Sequence, residues 1–177
     1  MELRSIIKLL MSLLHSSGLY YRASRLWLES QELKLTAPDW TGFKLIRERV
    51  SLQSCSLSSP EDTRETFALD LHTCTSRAAN VVVSTELRHF KDFRAEHGHR
   101  MVQIITGRGK NSRTVGHSTV QRGVIEMLGK CRSPFVINSR NLGVLEARVD
   151  EVLKWLQSQR VQKTLELCGG EVSRRKW

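Results

Sequence analysis

The chain has 177 residues and a formal net charge of +10, with 28 Lys and Arg against 18 Asp and Glu. Hydrophobic residues make up 40%, enough for a core of ordinary size, and charged residues 26%. No apolar run approaches the ~18 residues that a bilayer-spanning helix needs. The cationic excess points instead to an anionic partner: nucleic acid, a phosphate-rich ligand or an acidic membrane face. Cys55, Cys74, Cys131 and Cys168 are scattered without a close pair, which suits neither a zinc site nor a disulfide framework and reads as reduced thiols.

Ile6, Leu10 and Leu13, and beside them Ile7, Met11 and Leu14, recur at three- and four-residue steps, so residues 5–16 read as an amphipathic helix. Gly18 breaks it, and a second helix runs from Tyr20 to Leu33 with Ala23, Leu26 and Trp27 inward. Pro38 stops further helix. The pair has the ~34-residue scale of one helix-turn-helix repeat. The same stretch is rich in Arg, Lys and Ser, with Glu2 as the one acid before Glu29, and equally fits an organelle transit peptide. The spacing of Trp40, Phe43, Ile46 and Val50 predicts a short helix over 40–50. Residues 51–65, serine-rich with Pro60, read as a linker and domain boundary.

Beyond the linker, strand and helix patterns alternate. Residues 66–72 read as a strand and 75–97 as a helix with Ala79, Val83, Leu87 and Phe90 inward. Residues 101–105 form a strand, then a Gly-rich basic loop leads to a helix over 118–128 that buries Val120, Val124 and Met127 or Leu128. Strands at 134–138 and 143–149 follow, then a helix from Asp150 that buries Val152, Leu153 and Leu156. The order βαβαββα calls for a small α/β sandwich preceded by an α-helical hairpin.

Side chains alternate along a strand, so Phe67, Leu69 and Leu71 point one way while Asp70 and His72 share the other, about 6–7 Å apart at the backbone. A core strand with a satisfied polar end would read the same way. Between Glu96 and Glu126 lie five cations, Arg100, Arg108, Lys110, Arg113 and Arg122, and no acid, whereas the rest of 61–149 balances nine basic against nine acidic residues. The excess therefore sits on the loop from Gly107 to His117. Gly107 and Gly109 permit positive φ and close approach of backbone amides. The loop also feeds a helix N-terminus, which favours an anion. Thr106, Gly107, Arg108, Gly109, Lys110, Ser112 and Arg113 are the candidate phosphate-binding set, with a nucleic-acid backbone as occupant; a solvated loop is the plain alternative. The spacing matches neither GxxxxGK[ST] nor GxGxxG, which argues against ATP.

In a parallel βαβ unit both strand ends lie on one edge, so His72 and the 106–112 loop become neighbours. For strand cleavage His72 is cast as general base or acid. Asp70 orients it or holds a divalent ion such as Mg²⁺. Arg108 and Lys110 clamp the phosphate. Weaker candidates are His97 and His99 for a metal, Trp155 as a stacking platform, and Arg174, Arg175 and Lys176 as a basic tail; exposed helix-end histidines, a core indole and a solvated end are their plain readings.

LDLH at 69–72, ITGRGKNS at 105–112, SPF at 133–135, NLGVL at 141–145 and VLKWL at 152–156 stand in the order of a known family. Residues 66–157 resemble the small MutS-related (Smr) domain, of the type that follows pentatricopeptide repeats in plant organelle proteins. Within a helical segment over 1–50, the stretch from Ser5 to Asp39, with Ala23 in its second helix and a closing Lys-Leu-Thr-Ala-Pro-Asp at 34–39, resembles a single degenerate pentatricopeptide repeat, which makes the chain look like the tail or remnant of a repeat array. Residues 158–177 remain as a helix end and basic tail. The resemblance implies a two-layer βαβαββ domain similar to the C-terminal domain of translation initiation factor three, nucleic-acid binding and, in some members, endonuclease activity. Asp70 and His72 occupy the family's Asp-Leu-His motif, and Gly107 and Gly109 its glycine loop. Thr106 stands where many bacterial members have a His, which removes one proton carrier, and Arg108 where repeat-linked plant members often have Trp. RNA processing in a chloroplast or mitochondrion is the leading expectation. A non-catalytic RNA- or protein-binding adaptor, a DNA-binding or nicking protein, and a cytoplasmic location are the alternatives; no membrane partner is expected.

Overall fold

In a computed structural model of the protein, the described residues are 3–35, 42–49, 63–91, 100–107 and 118–169. Along them run helices α1 (Leu3–Ser16) and α2 (Tyr20–Glu32), strands β1 (Lys44–Arg49) and β2 (Thr63–Asp70), helix α3 (Ser76–Phe90) and strand β3 (Arg100–Ile105). Helix α4 (Thr119–Lys130), strands β4 (Val136–Ile137) and β5 (Val144–Arg148), and helices α5 (Val149–Leu156) and α6 (Gln159–Gly169) complete the order. The fold is α/β, with a helical pair leading into a five-stranded sheet of order β1-β2-β3-β5-β4. β2 and β3 are parallel because α3 carries the chain back between them; the other neighbours are antiparallel.

Alternation builds the core. Phe67 and Leu69 stand in register with Val102 and Ile104, and these with Ala147 and Leu145, all buried on one face. The opposite face carries Thr66, Met101, Gln103 and Glu146, which line a groove of about 380 Å³. Over the apolar face lies α3. Its expected stripe of Ala79, Val83, Leu87 and Phe90 is buried, with Phe90 edge-on to Phe67 at 5.4 Å. Ala78, Val81, Val82 and Thr85 are buried too, because α1, α2, α4 and α6 pack around the same helix.

The hairpin brings Ile7, Met11, Ala23 and Trp27 into this core. Trp27 Nε1 donates to Glu86 Oε1 at 2.6 Å, and Thr85 Oγ1 to Ser24 Oγ at 2.9 Å. Ile6, Leu10 and Leu13, the other row expected from spacing, are exposed.

Two elements differ from the sequence reading. Residues 44–49 are a strand, not part of a helix over 40–50: β1 pairs antiparallel with β2, placing Arg47 opposite Glu65 with Nε 2.9 Å from Oε1. A free strand edge and an opposite-charge pair outweigh a four-residue coincidence of helical spacing, and the charges of Lys44 and Arg47 suit an edge. Trp40 and Val50 lie outside the described residues, as does 51–62 of the expected linker; its last three residues already run in β2. At the other end the chain breaks after α5 and starts a separate helix, α6, which buries Val161 and Leu165. The expected extension of α3 through 92–97 and the basic tail at 174–176 lie outside the described residues.

Candidate nucleic-acid interface

The parallel ladder runs one bond past β2, where Leu71 N donates to Ile105 O at 2.8 Å, and Cys74 N then donates to Leu71 O at 2.9 Å. The turn this forms leaves Leu71 buried and turns His72 outward, with 52% of its side chain exposed against 35% for Asp70. His72 Nδ1–H donates to Asp70 Oδ1 at 2.6 Å, and the His72 backbone N–H donates to the same oxygen at 3.0 Å. Two bonds on one carboxylate oxygen hold the ring and assign the proton to Nδ1, leaving Nε2 to take or deliver a proton.

The end of β3 meets this turn. Gly107 has φ +77°, and a Cβ built on it would lie 3.5 Å from His72 Cβ and 3.9 Å from His72 Cα, so the glycine packs against the base of the His72 side chain. Its conformation is set from a third loop. Thr106 N, Gly107 N and Thr106 Oγ1 all donate to Gly143 O, at 2.9, 3.1 and 3.0 Å. The segment Asn141-Leu142-Gly143 is itself fixed: Asn138 Oδ1 accepts from the N–H of Arg140 and Asn141 at 2.8 and 2.7 Å, and Gln121 Nε2 donates to Leu142 O. Asn141-Leu142-Gly143 thus forms the wall that orients Thr106 and Gly107.

Two helices open toward the same rim. Thr75 caps α3 by accepting from Ala78 N at 3.2 Å, and Ser118 caps α4 by accepting from Gln121 N at 3.2 Å. Ser118 Oγ also donates to Thr106 O at 3.2 Å, tying the α4 N-terminus to the end of β3. Free N–H groups and the helix dipoles give this rim a positive character.

Sequence reasoning missed the contribution of α1. Lys8, only 9% exposed, donates from Nζ to Thr73 O and Oγ1 at 2.8 and 2.6 Å. Arg4 donates to Thr73 Oγ1 at 3.0 Å, and Ser12 shares a hydrogen bond with Thr75 Oγ1 at 2.6 Å. Two cations of the hairpin therefore grip the residue after His72. The one sign in the sequence is that Lys8 interrupts an otherwise apolar run.

Of the expected site residues, Asp70, His72, Thr106 and Gly107 are brought together; Arg108, Gly109, Lys110, Ser112 and Arg113 lie outside the described residues. So do His97 and His99. Thr106 is 2% exposed and its hydroxyl is committed to Gly143, so it serves the wall of the site rather than its chemistry. A divalent cation would find one carboxylate here, with Oδ1 already accepting two bonds; among the described residues no three His, Cys, Asp or Glu converge. That set does not make a cation cage. Cys74 and Cys131 are buried. No helix among the described residues is long and apolar enough to cross a membrane.

The fold and the rim together describe a small α/β protein with an imidazole–carboxylate couple and a left-handed glycine at the ends of two parallel strands, and a helical hairpin docked beside them. Over 162 residues, 90% of its length, the chain is 27% identical to a pentatricopeptide repeat-containing protein of Arabidopsis thaliana. It spans 17% of that protein's length. No family model matches the chain. No solved structure matches it.

Proposed function

We propose that the protein is an Smr-type nucleic-acid-binding protein acting in RNA processing, and that a backbone phosphate seats between His72, Gly107 and the N-termini of α3 and α4. The observation that carries this reading is the Asp70–His72 couple, closed at 2.6 Å against a glycine at φ +77°. Such a glycine lets backbone approach a phosphate, and a carboxylate-held imidazole is the usual proton carrier near neutral pH. For cleavage, His72 Nε2 moves the proton, Asp70 keeps the ring in register, and the cations of 108–113 offset charge on the phosphate.

A second reading, binding without cleavage, has its own support. Where many bacterial members carry a His, this chain has a threonine spent on Gly143 O. Among the described residues the rim then offers one proton carrier, His72, which suits an adaptor that holds RNA.

A gel assay with labelled single-stranded RNA, structured RNA and nicked or branched DNA, with and without Mg²⁺, separates the readings. Cleavage that falls by about 10²–10⁴ in His72→Ala while binding persists supports the enzyme. Binding that disappears in Arg108→Ala plus Lys110→Ala, with no cleavage under any condition, supports the adaptor. A preference for branched or nicked DNA would displace the RNA assignment. Absence of binding to every strand would sink the proposal.

A further inference from the structure

A second groove, of about 460 Å³, opens at the opposite end of α4 from the His72 rim. Lys130 and Arg132, at the end of α4, and Lys154 and Arg160, on α5 and α6, line it with Glu151 as the one acid; all four cations are exposed. The half-buried Trp155 lines the same groove. Its Nε1–H donates to Cys131 O at 2.9 Å, and Phe135 meets it edge-on at 6.4 Å. The indole's one polar group is thus used inside the protein, and the ring offers the groove only an apolar π surface.

The backbone at the mouth is unusual. Arg132 follows the end of α4 at φ +49°, the left-handed position where glycine is the ordinary choice. Arg132 N donates to Gly129 O at 3.0 Å, and Ser133 N to Leu128 O at 3.2 Å, which hold that stop closed. A helix end that glycine would make with less strain carries a cation here instead.

Glu151 stands among these cations and Lys130 lies 3.9 Å from Glu126, but the groove keeps a cationic excess that an apolar ligand would leave unused, and a lone inorganic phosphate would leave the ring unused. A nucleotide within a single strand uses both, its base on the indole and its flanking phosphates on Lys and Arg. We propose that this groove is a second nucleic-acid station that stacks one unpaired base on Trp155. The inference rests on the nucleic-acid reading of the rim and extends it. The two stations are separated by the length of α4, about 18 Å for its twelve residues, and Arg122 stands exposed on that helix between them. One strand long enough to reach both gains from tethering.

The test is fluorescence anisotropy on the full chain with single-stranded RNA of roughly 4 and roughly 16 nucleotides and with duplex RNA of the longer length. Wild type should bind the long single strand far more tightly than the short one. Lys154→Ala plus Arg160→Ala, both on exposed side chains, should lower long-strand affinity about ten- to hundredfold, erase the length preference and reduce the salt slope by about two. Trp155→Ala should remove a similar factor while Trp155→Phe, which keeps an aromatic face, retains most of it. Long-strand binding unchanged in the double variant overturns the groove and leaves the rim reading standing. Tighter binding of duplex than single strand, or displacement by poly-glutamate equal to that by RNA, also overturns it. If wild type binds no strand at all, both readings fall together.

Discussion

Set the hairpin α1–α2 beside strands β2 and β3. The strands are joined by a ladder of backbone bonds whose register runs from Glu65 opposite Arg100 to Asp70 opposite Ile105. The hairpin has no ladder. It meets the rest of the molecule through apolar packing and through polar pins: Arg4 and Lys8 on Thr73, Ser12 on Thr75, Ser24 on Thr85, and Trp27 on Glu86. Its outer face differs as well, with Leu3, Ile6, Leu10 and Leu13 exposed, whereas the open face of the sheet is a polar groove. Backbone pairing specifies its own partner, since a slip of one residue would turn every side chain over. Helix docking by side chains has to be specified residue by residue, and two of the pins chosen here end beside His72.

The largest way to break this contrast is Trp27→Ala. The indole is wholly buried and bonded to Glu86, so its loss should cost about 3–5 kcal/mol in urea unfolding. A single transition with that loss makes the hairpin part of one cooperative unit; two separate transitions would divide the molecule at the hairpin. Lys8→Met comes next, at about 1–3 kcal/mol for removing a charged donor from Thr73. Amide exchange at residues 72–74 should quicken in the same variant and recover in Lys8→Arg; unchanged exchange would separate the hairpin from the site.

On the sheet side the effects are smaller. Gly107→Ala places a side chain at φ +77° without a clash, since His72 Cβ is 3.5 Å away, so stability should fall by only about 1 kcal/mol. Nucleic-acid affinity should fall by more than that, because the backbone can no longer come as close; equal losses in both would make Gly107 a folding residue alone.

Smallest is the pH effect at Glu65. A hydrogen bond from Arg47, helped by the charge of Arg100, holds its carboxyl below the usual range. The folded value is depressed, so the stabilisation is complete above the ordinary carboxylate pKa and is lost as pH falls through the folded value. Thermal melts should place wild type above Glu65→Gln at neutral pH and bring the two together in acid. A gap that persists in acid would mean packing, not charge, joins β1 to β2 and β3.

Local patterns reached a good part of this structure. The helices α1, α2, α3 and α4, the strands β2, β3 and β5, and most of their buried positions follow from periods of 3.6 and 2, although of the two rows expected on α1 only that of Ile7 and Met11 is buried. Asp70 and His72 share one side of a strand end by alternation alone, and the parallel crossover puts Gly107 beside them. β1 escaped because a six-residue charged strand has no period of its own until β2 offers an edge. The docking of the hairpin escaped for a related reason, although α3 carried a hint: a helix with Ala78, Val81 and Val82 apolar behind its sheet-facing row must be covered on both sides.

Spacing, alternation and charge are properties of neighbours along the chain, and they suffice to say that a strand ends in an acid and an imidazole before a basic glycine loop. The hold of Gly143 on Thr106 and Gly107, and of Lys8 on Thr73, joins residues 36 to 65 positions apart. Hydrogen bonds of that kind depend on where packing brings two backbones, and a linear pattern carries no record of such distances.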